Sequence, residues 1–151
     1  MKTSLEIKYC HYESLDEMTP EDRELVEKAQ GTLQFAAAPY SHFNVGAAAR
    51  LRSGEIVHAA NVESEVFPSG MCAERSLLYW LASNRPADPV EALAIASWPS
   101  ERECYPCGSC RQVMVDTERR QGSPFRVIMF GNGTASVVQT ATDLLPFTFI
   151  L

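Results

Sequence analysis

The chain has 151 residues, 46% of them apolar, and a formal net charge of −6. Such a length is expected to form one domain with a core large enough to need neither disulfide nor metal merely to fold. The acidic balance argues against a protein that grips nucleic acid through its phosphates, and no run approaches the ~20 apolar residues of a membrane span.

Leu5 to Tyr9 alternates apolar and polar residues and reads as a short strand. Thr19-Pro20 then reads as a helix start, with Thr as cap, Pro in the first turn and acids at Glu21 and Asp22. Leu25, Ala29 and Leu33 give this helix one apolar stripe, and Pro39 is expected to end it. Phe43 to Leu51 and Ile56 to Val62 read as strands joined at Ser53-Gly54. Cys72 to about Asn84 reads as a helix with Leu77, Leu78 and Leu81 on one side. Ala92 to Ser97 is a short buried strand. Cys107 to about Gln121 is helical again, with Val113, Met114 and Thr117 inward. Phe125 to Phe130 is a strand, and Asn132-Gly133 is a hairpin turn leading into Ser136 to Thr140. Helices and strands alternating through the middle predict an α/β fold with helices on both faces of a sheet.

Five cysteines, Cys10, Cys72, Cys104, Cys107 and Cys110, form an odd set, and no apolar leader precedes them. The expected setting is a reducing cytoplasm, where such thiols more often bind metal or react than pair. Alone, Cys107-x-x-Cys110 is compatible with a metal site, a redox motif or two packed thiols. Cys72-x-Glu74 shifts the balance to metal, because a carboxylate two residues from a ligand can shuttle a proton without binding the ion. Cys104, Cys107 and Cys110 also spell part of an iron–sulfur run, but the further Cys-Pro is missing. Cys104 reads as a bystander and Cys10 as structural. Glu74 has the plainer reading of an acid at a helix start, and Arg75 that of a surface cation. Against these, Glu74 can lean toward the metal and Arg75 can offset thiolate charge. Asn61 and Glu63 share one side of a strand end and can offer an amide and a carboxylate to a sugar hydroxyl. His11, His42 and His58 show no ligand-like pairing.

Cys-x-Glu followed by Pro-Cys-x-x-Cys is the signature of the zinc deaminases. Further motifs run from Pro39 to Phe149. They are Pro39-Tyr40-Ser41-His42-Phe43, Val45-Gly46-Ala47-Ala48, Asn61-x-Glu63, Pro68-x-Gly70-x-Cys72-Ala73-Glu74-Arg75, Pro106-Cys107-Gly108-x-Cys110-Arg111-Gln112-Val113, Leu144-Leu145-Pro146 and Phe149. Together they resemble the cytidine deaminase family in its small, three-cysteine form. The resemblance implies one deaminase-like domain over residues 1–151, with residues 1–18 an N-terminal extension. It implies a three-layer α/β/α sandwich around a mixed sheet of about five strands. It implies one Zn2+ per chain on Cys72, Cys107 and Cys110, with Glu74 as proton shuttle and Arg75 behind the ligands. It places Phe43, Asn61, Glu63, Phe67, Ala73 and Phe149 around the substrate. A homotetramer with shared active sites is implied, acting on a small nucleoside in pyrimidine salvage, with no nucleic-acid or membrane partner.

One stretch departs from the family pattern. Asn61-Val62-Glu63-Ser64-Glu65-Val66-Phe67-Pro68 has Ser64 for an amide, Glu65 for a small residue and Phe67 for a tyrosine. The expected reaction is deamination of cytidine and deoxycytidine. The alternatives are a modified cytosine nucleoside or blasticidin-like compound, a zinc-stabilised module without turnover, and an editing deaminase on single-stranded nucleic acid. The last lacks any basic-aromatic run to support it.

Overall fold

A computed structural model describes residues 1–151. It contains β1 (Tyr9–Tyr12), α1 (Pro20–Thr32), β2 (Asn44–Leu51), β3 (Ile56–Ala60), α2 (Ala73–Asn84), β4 (Val90–Trp98), α3 (Gly108–Gln121), β5 (Arg126–Gly131) and β6 (Thr134–Val138). The strands form one sheet in the order β1-β6-β5-β4-β2-β3. Only β4 and β5 are parallel, and α3 supplies the crossover between them. The α/β/α arrangement matches the sequence expectation, with six strands rather than about five. The strand beyond the five that the resemblance implied is β1, on the edge beside β6.

Side-chain size divides the two faces of the sheet. Ala48, Ala92, Ala94 and Ala96 lie toward α1, whose Leu25, Val26 and Ala29 pack against them. Leu51, Leu93, Ile95, Val127 and Met129 lie toward α2 and α3. Small residues on the first face let α1 approach closely. At Gly46 a Cβ would sit 2.1 Å from the Ala29 carbonyl oxygen, so only glycine fits there. The central strands are buried on both faces, which is why they read as unbroken apolar runs.

Local signals explain most boundaries. Thr19 caps α1 by accepting the Asp22 amide at 3.2 Å, and Pro20 sits in the first turn. Asn132 and Gly133 both have positive φ, 50° and 80°, as a two-residue hairpin turn requires. That tight turn starts β6 at Thr134, two residues before the expected start. Gly122 closes α3 at φ 71°.

Three further expectations shift. β3 ends at Ala60 rather than Val62, so Asn61 and Glu63 lie beyond the strand. α1 ends at Thr32 rather than near Pro39, and a 3₁₀ turn follows over Leu33–Phe35. The cause is non-local. Ala37 donates to the Asn61 carbonyl at 3.0 Å and accepts from the Glu63 amide at 2.8 Å, which holds this stretch extended. The first strand lies at Tyr9–Tyr12 rather than Leu5–Tyr9. Its register pairs Tyr9 with Val138, the last residue of β6, so earlier residues have no strand to join.

Candidate metal centre and its cavities

Cys72 is the cap residue of α2, and Cys107 is the cap residue of α3, with Cys110 in its first turn. Both helices lie on the same face of the sheet, so their positive N-terminal ends meet. The sulfur atoms of Cys72 and Cys107 are 3.9 Å apart, and those of Cys107 and Cys110 3.5 Å. All three lie within 4.8 Å of one another. Tetrahedral zinc with Zn–S bonds of 2.3 Å needs sulfurs about 3.8 Å apart, so the thiols fit the ion.

The electrostatics suit a cation arriving. The Cys110 thiol donates to Cys72 and, with Arg75 and Cys107, brings the Cys72 thiol down to about 5 against the opposing effect of burial. Cys110 moves upward, because its thiol keeps its proton in the hydrogen bond shared with Cys72 and is itself buried. The cluster thus holds one negative charge easily and resists the next until a metal replaces the protons. Arg75 Nη2 donates to Cys72 Sγ at 3.6 Å. Its Nε is buried without a partner.

Glu74 is only 4% exposed. Burial pushes its carboxyl up to about 7, and the charge on Cys72 adds to the shift. A carboxyl poised near neutrality, one turn from the thiols, is suited to exchanging protons.

The remaining candidates fall on two hollows. A cavity of about 550 Å³ is lined by Tyr40, Asn61, Glu63, Phe67, Cys72 and Arg75, among others. Phe43 lines a second, of about 820 Å³, with Ser97, Glu103, Cys104 and Tyr105. Asn61 joins them structurally. Its Oδ1 accepts the Val45 amide at 2.8 Å, and its Nδ2 donates to the Phe43 carbonyl at 2.9 Å. One Nδ2 hydrogen and one Oδ1 lone pair remain for a ligand. Glu63 Oε1 accepts the amides of Tyr40 and Ser41 at 3.0 and 3.1 Å. The Ser41 hydroxyl and these amides hold its carboxyl below the usual carboxylate range. Ala73 is fully buried beside Cys72. Phe67 meets Tyr40 edge-on at 5.8 Å between centroids. Phe67 and Phe149 are 74% and 69% exposed, so most of each ring is left uncovered within this chain.

Cys104 stands outside the thiol cluster. It is buried, and burial raises its thiol to about 11. None of the three histidines joins the cluster, and His58 stacks on Phe35. Sequence reading did not assign Arg111, which donates through Nε to the Pro106 carbonyl at 2.8 Å and through Nη1 to the Leu144 carbonyl at 2.9 Å. The signal available was its place in the Pro106–Val113 motif, directly after Cys110.

Residues 19–122, well over half of the chain, match the family described as the cytidine and deoxycytidylate deaminase zinc-binding region. A cytidine deaminase of Halalkalibacterium halodurans is 32% identical over 126 residues, 83% of this chain and 91% of that protein. A blasticidin-S deaminase of Bacillus cereus is 30% identical over 138 residues, 87% and 94% of the two chains. The crystal structure of a cytidine deaminase from Burkholderia pseudomallei superposes with a TM-score of 0.75 at 34% identity, over 87% of this chain and all of that one.

Proposed function

The chain belongs to the cytidine deaminase family and is a zinc-dependent hydrolytic deaminase, and from that premise we propose that it converts cytidine and deoxycytidine to uridine and deoxyuridine with release of ammonia. The observation that carries this reading is the three-thiol cluster with buried Glu74 beside it and Cys104 left outside. A purely structural zinc site is normally closed by a fourth protein ligand.

Cys72, Cys107 and Cys110 would hold the ion, and Arg75 would offset their charge. Zinc held by three protein ligands supplies the acidity that brings a water's pKa to about 7. Glu74 takes the proton from the attacking water. It passes that proton to N3 of the cytosine ring as the water oxygen bonds to C4, then takes the second proton from that oxygen and passes it to the amine, whose bond to C4 breaks as ammonia leaves. The near-neutral carboxyl described above supports both transfers. Asn61 and Glu63 hold the ribose hydroxyl, the first with its spare hydrogen and lone pair, the second through Oε2. Phe43 packs on the base, which the backbone near Ala73 addresses.

The exposure of Phe67 and Phe149 supports a homotetramer in which these rings complete a neighbour's pocket. The chain forms a single domain, with residues 1–18 as its extension. No helix is long and apolar enough to cross a membrane. We assign the reaction to cytoplasmic pyrimidine salvage, with neither nucleic acid nor membrane as a partner.

A second reading keeps the chemistry and changes the substrate to a modified cytosine nucleoside or a blasticidin-like compound. It is supported by the similarity to a blasticidin-S deaminase and by Ser64 and Phe67 in the cavity wall, with Glu65 exposed between them. Ammonia release from cytidine, deoxycytidine, their monophosphates, methylated cytidines and blasticidin S decides between the two. Rapid release from cytidine or deoxycytidine supports the first reading. Silence on both by zinc-loaded protein overturns it.

A further inference from the structure

The loop that delivers Cys107 is stapled to the sheet from a direction the family match does not include. The Cys104 amide donates to the Phe130 carbonyl at 3.1 Å. Gly131 lets the loop lie directly on the chain, since a Cβ there would be 2.0 Å from the Arg102 carbonyl oxygen. Between these contacts Glu103 turns inward and is buried. Its Oε1 accepts from the Thr134 hydroxyl of β6 at 2.8 Å, and its Oε2 from the Tyr105 hydroxyl at 3.0 Å. His11 of β1 closes the group. Its Nδ1 lies 3.4 Å from Glu103 Oε1 and 3.2 Å from the hydroxyl of Ser136, its register partner on β6. Tyr105 is two residues from Cys107, and β1 lies before residue 19, where the family match begins.

We infer that Glu103 is a positioning residue for the zinc ligands Cys107 and Cys110, and that strand β1, through His11, belongs to the same positioning device. A buried carboxylate needs its donors. The ligand loop itself and β6 supply hydrogen bonds, and β1 sets His11 within 3.4 Å of the carboxylate. Removing one frees the carboxylate to leave for water, and the loop goes with it. Arg111 holds the other end of this short segment at Pro106. The segment is thus pinned on both sides of Tyr105, and its entry into α3 is set by the sheet. Groups hydrogen-bonded directly to metal ligands typically change affinity or activity by 10- to 100-fold, and Glu103, one step further out, is expected at the low end, about tenfold. The inference rests on the zinc reading above.

The test uses the full-length zinc-loaded protein and the variants Glu103→Ala, Glu103→Gln, His11→Ala and Tyr105→Phe. Three quantities are measured: the rate of zinc release to a chromogenic chelator, kcat and KM for cytidine, and the thermal midpoint. Glu103→Ala is expected to release zinc about tenfold faster and to lose about tenfold in kcat, with KM within about twofold. His11→Ala and Tyr105→Phe show the same pattern more weakly, and Glu103→Gln, which keeps an acceptor, recovers part of the loss. His11→Ala added to Glu103→Ala costs little more, as expected for one device. A lowered midpoint with wild-type zinc release and kcat overturns the inference and makes Glu103 a structural anchor only. If Glu103→Ala does not fold, His11→Ala and Tyr105→Phe decide by the same criteria. If wild-type protein spares cytidine, the substrate reading falls, and zinc release alone decides the positioning claim.

Discussion

Two buried glutamates on the same side of the sheet do opposite things. Glu118, near the C-terminal end of α3, is 6% exposed and saturated with donors. It accepts the amides of Phe125 at 2.9 Å and Ala141 at 2.7 Å, and the hydroxyls of Thr140 and Thr142 at 2.8 and 3.0 Å. Glu74, at the N-terminal end of α2, is just as buried, but its surroundings are thiols, one guanidinium and its own amide. The first carboxylate ties α3 to the start of β5 and to the segment after β6. The second is left without enough donors to hold its charge cheaply, so its proton affinity rises. Between two equally buried carboxyls, donor supply separates a satisfied anchor from one held near neutrality.

Exchanging each charge for a neutral group sharpens this contrast. Glu74→Gln is expected to keep zinc at one per chain and lose about 10³-fold in kcat. Its resistance to urea should equal or exceed that of the wild type, since a poorly solvated acid is removed. Metal analysis beside steady-state kinetics checks this, and turnover within tenfold of wild type would remove Glu74 from the mechanism. Glu118→Ala reverses the pattern. Four donors lose their acceptor, and stability falls by about 3 kcal/mol while kcat per folded molecule stays within about threefold. Urea midpoints with matched activity measurements read it; an unchanged midpoint would break the comparison. The smallest effect belongs to Cys104, which is buried like Cys110 but stands outside the thiol cluster. Cys104→Ala is expected to retain full zinc and lose about 1 kcal/mol of stability. Loss of zinc from this variant would mean a four-cysteine site.

Legibility followed the range of the interactions. Cys72, Glu74, Cys107 and Cys110 were readable because their spacings are local: two residues on one helix start, three on another. The cap at Thr19 and the turn at Asn132-Gly133 were readable for the same reason. The early end of α1 was not, because its cause is a bridge from Ala37 to residues 61–63. Nor was the role of Asn61 in tying Phe43 to Val45, since N-x-E at a strand end carries no sign of which backbone it meets. Glu103 gave no signal at all: its partners lie on β6, on β1 and within its own loop.

The chemistry of this protein was therefore determined by the sequence itself. The thiols, the carboxylate and the glycines at turns act through their own covalent neighbours, and short spacing is enough to aim them. What only the tertiary structure decided was which groups share an environment. It brought Cys72 against Cys107 across 35 residues, left Cys104 out, filled Glu118 with donors and kept them from Glu74. It also moved the first strand from residues 5–9 to Tyr9–Tyr12 and set His11 beside the loop leading to the thiol cluster. The physical reason is that charge, desolvation and hydrogen bonding depend on distance in space, and the chain must fold before those distances exist.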